Sequence, residues 1–264
     1  MPDALTIEIT GTGSLTVSRA GGVIGRIHKG EFAPSLPTPF NSLAMGPVLY
    51  GLFEINVDRG EFVTEGDGSK AAILFGCLNY LLLELTRRGG GACLVFVPDS
   101  SLAMARQAAQ FPWDSEGGIE LGTLIRARIR YGEHERNERF PNVFVQNANE
   151  ALRERLDGIA ALASLDGATL LTPSFDVIGF GVKLQAANFV GSVQEGANGL
   201  GSEYGKSIDF SRFGTRHNSA LRFVASVDGA IAFVASMDGP IRGLVRHTDG
   251  TIRYWPDCRV SMFT

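Results

Sequence analysis

Cysteine is scarce: Cys77, Cys93 and Cys258 are the only three in a chain of 264 residues. They show no C-x-x-C spacing and have no histidine nearby in sequence, so neither a disulfide framework nor a structural zinc site is expected. Cys77 and Cys93 lie inside apolar runs and read as buried thiols in a reducing compartment. An excess of positive charge is lacking too. The net charge is −4 and the isoelectric point is near 5.6, which argues against bulk binding to nucleic acid, since that needs a basic surface to neutralise phosphates. A local basic pocket stays open. The opening MPDALTIEIT has no basic segment followed by an apolar core, so no secretory signal is expected. The most apolar stretch, AAILFGCLNYLLLEL (71–85), is broken by Asn79 and Glu84 and falls short of the ~20 residues a bilayer span needs. A cytoplasmic protein with no membrane contact is the expectation.

Several catalytic signatures are missing as well. There is no Walker-A lysine motif, no H-E-x-x-H and no G-x-S-x-G. GANGLG (196–201) has the wrong glycine spacing for a dinucleotide fingerprint and reads as a loop. Of the four histidines, His28, His134 and His247 have no partners in sequence.

What is present is ordinary material for a large core: 44% hydrophobic and 20% charged residues. LTIEIT, SLTVSRA and GVIGRIH alternate apolar and polar residues between glycine turns, predicting short strands. A proline-rich connection over 34–48 follows, then a strand with a turn in LYGLFEINVDRGEFV (49–63), so residues 1–68 read as a β-rich region. From residue 69 the pattern changes. A helix over 69–88 ends in TRRGGG, and ACLVFVPD reads as a strand buried on both faces. YGEHERNERF (131–140) is a solvated charge run, and a second helix covers 147–163. DGATLLTPSFDVIGFGVKL reads as strand, turn and strand, followed by a glycine-rich loop over 191–205. A helix starting near FGTRHNSALRF, a buried strand in GAIAFVAS and a closing strand in TIRYWPD complete the chain. Helices alternating with buried strands predict an α/β layered domain over 69–264, a central mixed sheet flanked by helices.

Three segments place polar groups beside buried strands. In Asp166-Gly167-Ala168 a carboxylate can hold a divalent cation or accept a proton, although Asp-Gly before a strand is also a common turn. In Gly214-Thr215-Arg216-His217 a glycine opens a helix whose free N–H groups favour an anion, beside a hydroxyl, a guanidinium and an imidazole. Thr215 can equally serve as an N-cap and Arg216 as a surface charge. In Ser236-Met237-Asp238-Gly239, Asp238 can be a second metal-facing carboxylate or a hairpin-turn residue.

Taken in order, RRGGGACLVFV, LDGATLLTPSFDVIGFGVKL, FGTRHNSALRFVAS and AIAFVASMDG resemble the diadenylate cyclase (DAC) domain, the family that includes the DNA-integrity-scanning proteins. The resemblance covers about residues 70–264 and leaves the β-rich front third outside. It implies a site for ATP with Mg²⁺ or Mn²⁺. Two subunits would face each other as a homodimer, and each 3′-hydroxyl would attack the partner's α-phosphate to yield cyclic di-AMP. On that resemblance Asp166 would bind metal or activate the hydroxyl, with Asp238 as a second metal ligand. Thr215, Arg216 and His217 would contact phosphates, Gly167, Ala168 and Gly214 would permit close approach, and Ser236 would border the nucleotide. The strand around Leu94 and the helix end at Leu165 would lie near the base. Two departures stand out. Asn218 occupies the place of a second arginine, and Met237-Asp238 replaces a Glu-Glu pair. A glycine-rich insertion over 185–212 can cover or block the pocket. Three readings follow: a nucleotide sensor with reduced or lost synthase activity, an active cyclase, or an interaction scaffold without a ligand.

Overall fold

Alternating sequence comes first and folds as predicted into strands. β1 (Leu5–Gly11), β2 (Ser14–Arg19), β3 (Gly22–His28) and β4 (Glu31–Pro34) form a four-stranded antiparallel meander. The structure, a computed structural model, describes residues 5–11, 14–19, 22–28, 31–34, 45–58, 61–111, 113–114, 121–135, 142–196, 207–236, 240–256 and 258.

The strand expected over 49–63 is instead helix α1 (Gly46–Leu52) followed by a short hairpin of β5 (Val57–Asp58) and β6 (Glu61–Phe62). Pro47 starts the helix, where its missing N–H is no loss. Met45, Leu49 and Phe53 recur every four residues and are buried together in the main core. Met45, Leu49, Leu52, Phe53 and Ile55, which sequence places in the β-rich region over 1–68, are buried in the main core with α2 and α5.

Helix α2 (Glu65–Arg88) begins four residues before the predicted start. Thr64 and Asp67 form a capping box there, the Thr64 Oγ1 accepting from the Asp67 N–H at 3.1 Å and the Asp67 carboxylate accepting from the Thr64 N–H at 3.2 Å. This extension gives a 22-residue segment, Asp67–Arg88, long and apolar enough to cross a membrane, unlike the shorter run read from sequence. Its Leu74, Leu78, Leu81, Leu82 and Leu85 are buried in the protein core, as in a core helix.

The remaining elements are β7 (Ala92–Phe96), α3 (Leu102–Gln107), β8 (Ala109–Gln110), β9 (Trp113–Asp114), α4 (Gly122–Glu135), α5 (Asn142–Ala163), β10 (Ala168–Leu171), β11 (Val177–Leu184), β12 (Val193–Glu195), α6 (Thr215–Ser226), β13 (Ile231–Ala235), β14 (Ile241–Arg246) and β15 (Ile252–Trp255). Helix α4 takes in residues 131–135 of the charge run, and the rest of that run lies outside the described residues.

The chain is an α/β protein whose central sheet is mixed. Its order is β12-β15-β14-β13-β7-β10-β11-β8, with β9 also paired to β11. The pairs β7/β10 and β12/β15 are parallel and the other neighbours antiparallel. Side chains of β7 alternate between two cores, as a strand covered on both faces requires. Ala92, Leu94 and Phe96 face the core that holds α1, α2, α4 and α5, while Cys93 and Val95 face the core built with α6. Phe96 sits edge-on to Phe53, Phe175 and Phe233 at centroid distances of 6.0, 5.1 and 6.3 Å.

Candidate functional site

Register brings the polar segments to one end of the sheet. Because β7 and β10 are parallel, both begin there, and because β11 and β13 run antiparallel to them, both end there. β14 starts beside the end of β13, with Ala235 opposite Ile241. The N-terminus of α6 sits over this edge, and between them lies a cavity of about 820 Å³, within the size range of small-ligand sites.

Asp166 reaches the cavity because α5 tightens at its end. The Ser164 and Leu165 N–H groups donate to Ala161 and Leu162 at 3.2 and 3.1 Å. The chain then turns at Gly167, with φ +100°, directly against the backbone of Gly181. The Asp166 carboxylate is exposed to the cavity, and among the described residues its Oδ1 accepts only the neighbouring Gly167 N–H, at 3.1 Å.

Gly214 is the N-cap of α6 and supplies no side-chain acceptor, so Thr215 is not the cap that sequence allowed. Gly214, Thr215, Arg216 and His217 all line the cavity, placing the positive end of the helix dipole at its wall. The Arg216 guanidinium lies over Gly91, in the space a side chain at that position would take. Among the described residues it has no hydrogen-bond or ion-pair partner.

His217 is buried, and one of its two ring nitrogens is taken up by a neighbouring arginine. The Arg242 Nη1 is 2.9 Å from its Nε2. A guanidinium only donates, so Nε2 accepts and the ring is neutral with its proton on Nδ1. Burial first, then the charges of Arg242 and Arg216, lowers its pKa from 6.5 to about 4. As pH falls from 6.5 towards 4, the unfolded chain takes up a proton that the folded site refuses, so this stabilisation is present above 6.5 and is lost on the way down. His217→Gln should therefore flatten the fall in unfolding free energy between pH 7 and 4 relative to wild type. Equal slopes in denaturant titrations across that range would contradict the neutral assignment.

Eight residues singled out from sequence line the cavity together: Asp166, Gly167, Ala168, Gly214, Thr215, Arg216, His217 and Ser236. Three do not. Leu94 points into the opposite core, since strand side chains alternate, and its neighbour Cys93 is the one that reaches the cavity. Burial pushes the Cys93 thiol up to about 12, so it is a neutral wall. Leu165 is 49% exposed on the turn after α5 and lines no part of the cavity. Asn218 turns away as well, its Nδ2 donating to the Phe213 and Gly214 carbonyls at 2.5 and 3.4 Å. Its amide fixes the entry into the helix. Asp238, with Met237 and Gly239, lies outside the described residues.

Sequence reasoning missed Lys183, Arg212 and Arg242. Lys183 and Arg242 break otherwise apolar strands, FGVKL and IRGLV; alternation turns Arg242 to the α6 face with Leu244, whereas Lys183, between the α6-facing Val182 and Leu184, lines the cavity near the end of β11. Arg212 comes from the glycine-rich insertion. The described parts of that insertion build the site rather than block it: β12 extends the sheet, and Phe210 stacks on Phe213 with centroids 4.2 Å apart. Among the described residues, four cations face the cavity, Lys183, Arg212, Arg216 and Arg242, against one carboxylate, Asp166. No group of three or more His, Cys, Asp or Glu suited to a metal occurs among them. Of the described carboxylates only Asp166 lines the cavity, so among the described residues a divalent ion there would have one carboxylate ligand, with phosphates and water able to complete its shell as for Mg²⁺.

The chain matches no family model and no curated protein.

Proposed function

We propose that the chain is a nucleotide-binding protein of the DAC-like type, holding an adenine nucleotide or a cyclic dinucleotide as a sensor with reduced or lost synthase activity. The observation that carries this is the charge of the cavity. Four cationic side chains and a helix N-terminus surround about 820 Å³ with a single described carboxylate, a surrounding suited to phosphate oxygens. The ordered motifs described above supply the adenine part of the proposal, and three buried free cysteines support a reducing, cytoplasmic setting. A sensor needs no facing homodimer.

A second reading, an active diadenylate cyclase, is favoured by one feature: the Asp166 carboxylate is exposed to the cavity and, among the described residues, has no ion-pair partner. It would hold Mg²⁺ or Mn²⁺ or draw a proton from a hydroxyl. A protein-interaction scaffold with no ligand has no such support, since it leaves the clustered charge without a role.

Thermal unfolding with ATP, cyclic di-AMP and Mn²⁺, combined with product analysis, separates these. A ligand at about 100 times its Kd should raise the unfolding midpoint by about 5–10 °C. Stabilisation without product supports the sensor. Cyclic di-AMP that disappears with Asp166→Asn supports the cyclase. No midpoint change with any nucleotide overturns both.

A further inference from the structure

Arg242 is held in an unusual way. Its Nη1 is 2.9 Å from His217 Nε2 and 3.2 Å from Ser236 Oγ, and its guanidinium carbon lies 5.4 Å from the centroid of the Phe213 ring. The hydroxyl of buried Tyr254 also interacts with it. Every one of these partners is neutral. Among the described residues no carboxylate pairs with Arg242, although it is half-buried and lines the cavity. A guanidinium is always charged, and a half-buried charge with only neutral partners keeps its field directed into the space it borders.

The anchors also fix its direction. Phe213 carries the flat face, while His217 and Ser236 receive N–H groups on one edge of the fork. The Arg216 guanidinium lies over Gly91 just before β7, whereas Arg242 enters from β14, two strands away across β13. Helix α6 supplies a single guanidinium to the cavity, because Asn218, the next polar residue after His217, is spent on backbone carbonyls.

We propose that Arg242 is a second ligand-contacting cation of this site, and that His217 is its positioning residue, accepting an N–H from Arg242 instead of donating to the bound anion. The assignment rests on the anion-binding reading above but not on the nucleotide one. The ligand class it requires is a polyanion of the phosphate type.

The test is calorimetric titration of the full chain with ATP, cyclic di-AMP and, as a base-free probe, tripolyphosphate. Arg242→Ala should weaken binding about 10–100-fold, comparable to Arg216→Ala. His217→Ala should weaken it less, and His217→Gln, which returns an acceptor near the Nε2 position, should recover most of that loss. The double variant His217→Ala with Arg242→Ala should bind like Arg242→Ala alone, because His217 acts only through the arginine. Arg242→Lys, which keeps the charge, serves where the alanine variant does not fold, and should retain more affinity than Arg242→Met. Unchanged binding in Arg242→Ala, or equal loss in Arg242→Lys and Arg242→Met, overturns the contact. Full additivity of the two alanine substitutions overturns the positioning role. Binding of tripolyphosphate but not of nucleotides, with the same dependence on Arg242, supports this assignment while removing the nucleotide reading. No binding of any probe to the wild-type chain overturns both.

Discussion

Replacing Gly167 by alanine is expected to lower the unfolding free energy by about 2–5 kcal/mol. Two effects add. The residue holds φ at +100°, a conformation that costs a residue with a Cβ about 1–2 kcal/mol. The added Cβ would also stand 2.5 Å from the carbonyl carbon of Gly181 and 2.8 Å from its oxygen. Those atoms are backbone of the paired strand, so relief requires β10 and β11 to part, and overpacking of that kind costs about 1–3 kcal/mol. Urea unfolding should show the loss as a lower midpoint. Gly214→Ala is the control: nothing lies within 4 Å of a Cβ there and its φ is −65°, so only the weaker N-cap preference is lost, about 1 kcal/mol or less. A change below about 1 kcal/mol at Gly167 would show that the two strands separate easily where they form the floor of the cavity.

The second large effect concerns affinity. Gly91→Ala should weaken ligand binding by about 10–100-fold while leaving stability nearly unchanged. A Cβ on Gly91 would occupy the place of the Arg216 guanidinium, the free end of a flexible side chain that can swing aside at little cost to the fold. Once displaced, it no longer aims at the cavity, and a lost charge-assisted contact is worth roughly 1.5–3 kcal/mol. Gly91→Ala should therefore copy Arg216→Ala in a binding titration with ATP or tripolyphosphate, and the double variant should be no worse than either. Wild-type affinity in Gly91→Ala would mean that Arg216 contacts its ligand from another rotamer.

Much of this fold is legible in the sequence because burial on both faces leaves a plain signal. ACLVF, ATLL and IAFVA are buried at every position; the first and last read as buried strands from their apolar runs, and ATLL as the first strand of a strand-turn-strand segment. The segment over 49–63 was misread because VLYGLF satisfies a short strand as well as a helix, and only the four-residue recurrence of Met45, Leu49 and Phe53 separates the two. At the site, contiguous groups such as Gly214 to His217 were visible because one helix start carries them all. Lys183, Arg212 and Arg242 come from three separate elements and meet only through sheet order, which no local pattern contains. The role of Asn218 was hidden for a related reason: its partners are backbone carbonyls, which are present at every position in a sequence.

The place of β7 in the sheet also sets a timetable for biosynthesis. This strand pairs with β10 on one edge and β13 on the other, and those partners leave the ribosome about 75 and about 140 residues later. At synthesis rates of about 5–20 residues per second, both edges of a strand reading ACLVF wait several seconds or more before they are covered. A nascent chain that stops before Ile231 carries that open edge permanently, a template for pairing with another copy. Premature termination ahead of Ile231 should thus yield aggregate rather than a shortened, working protein.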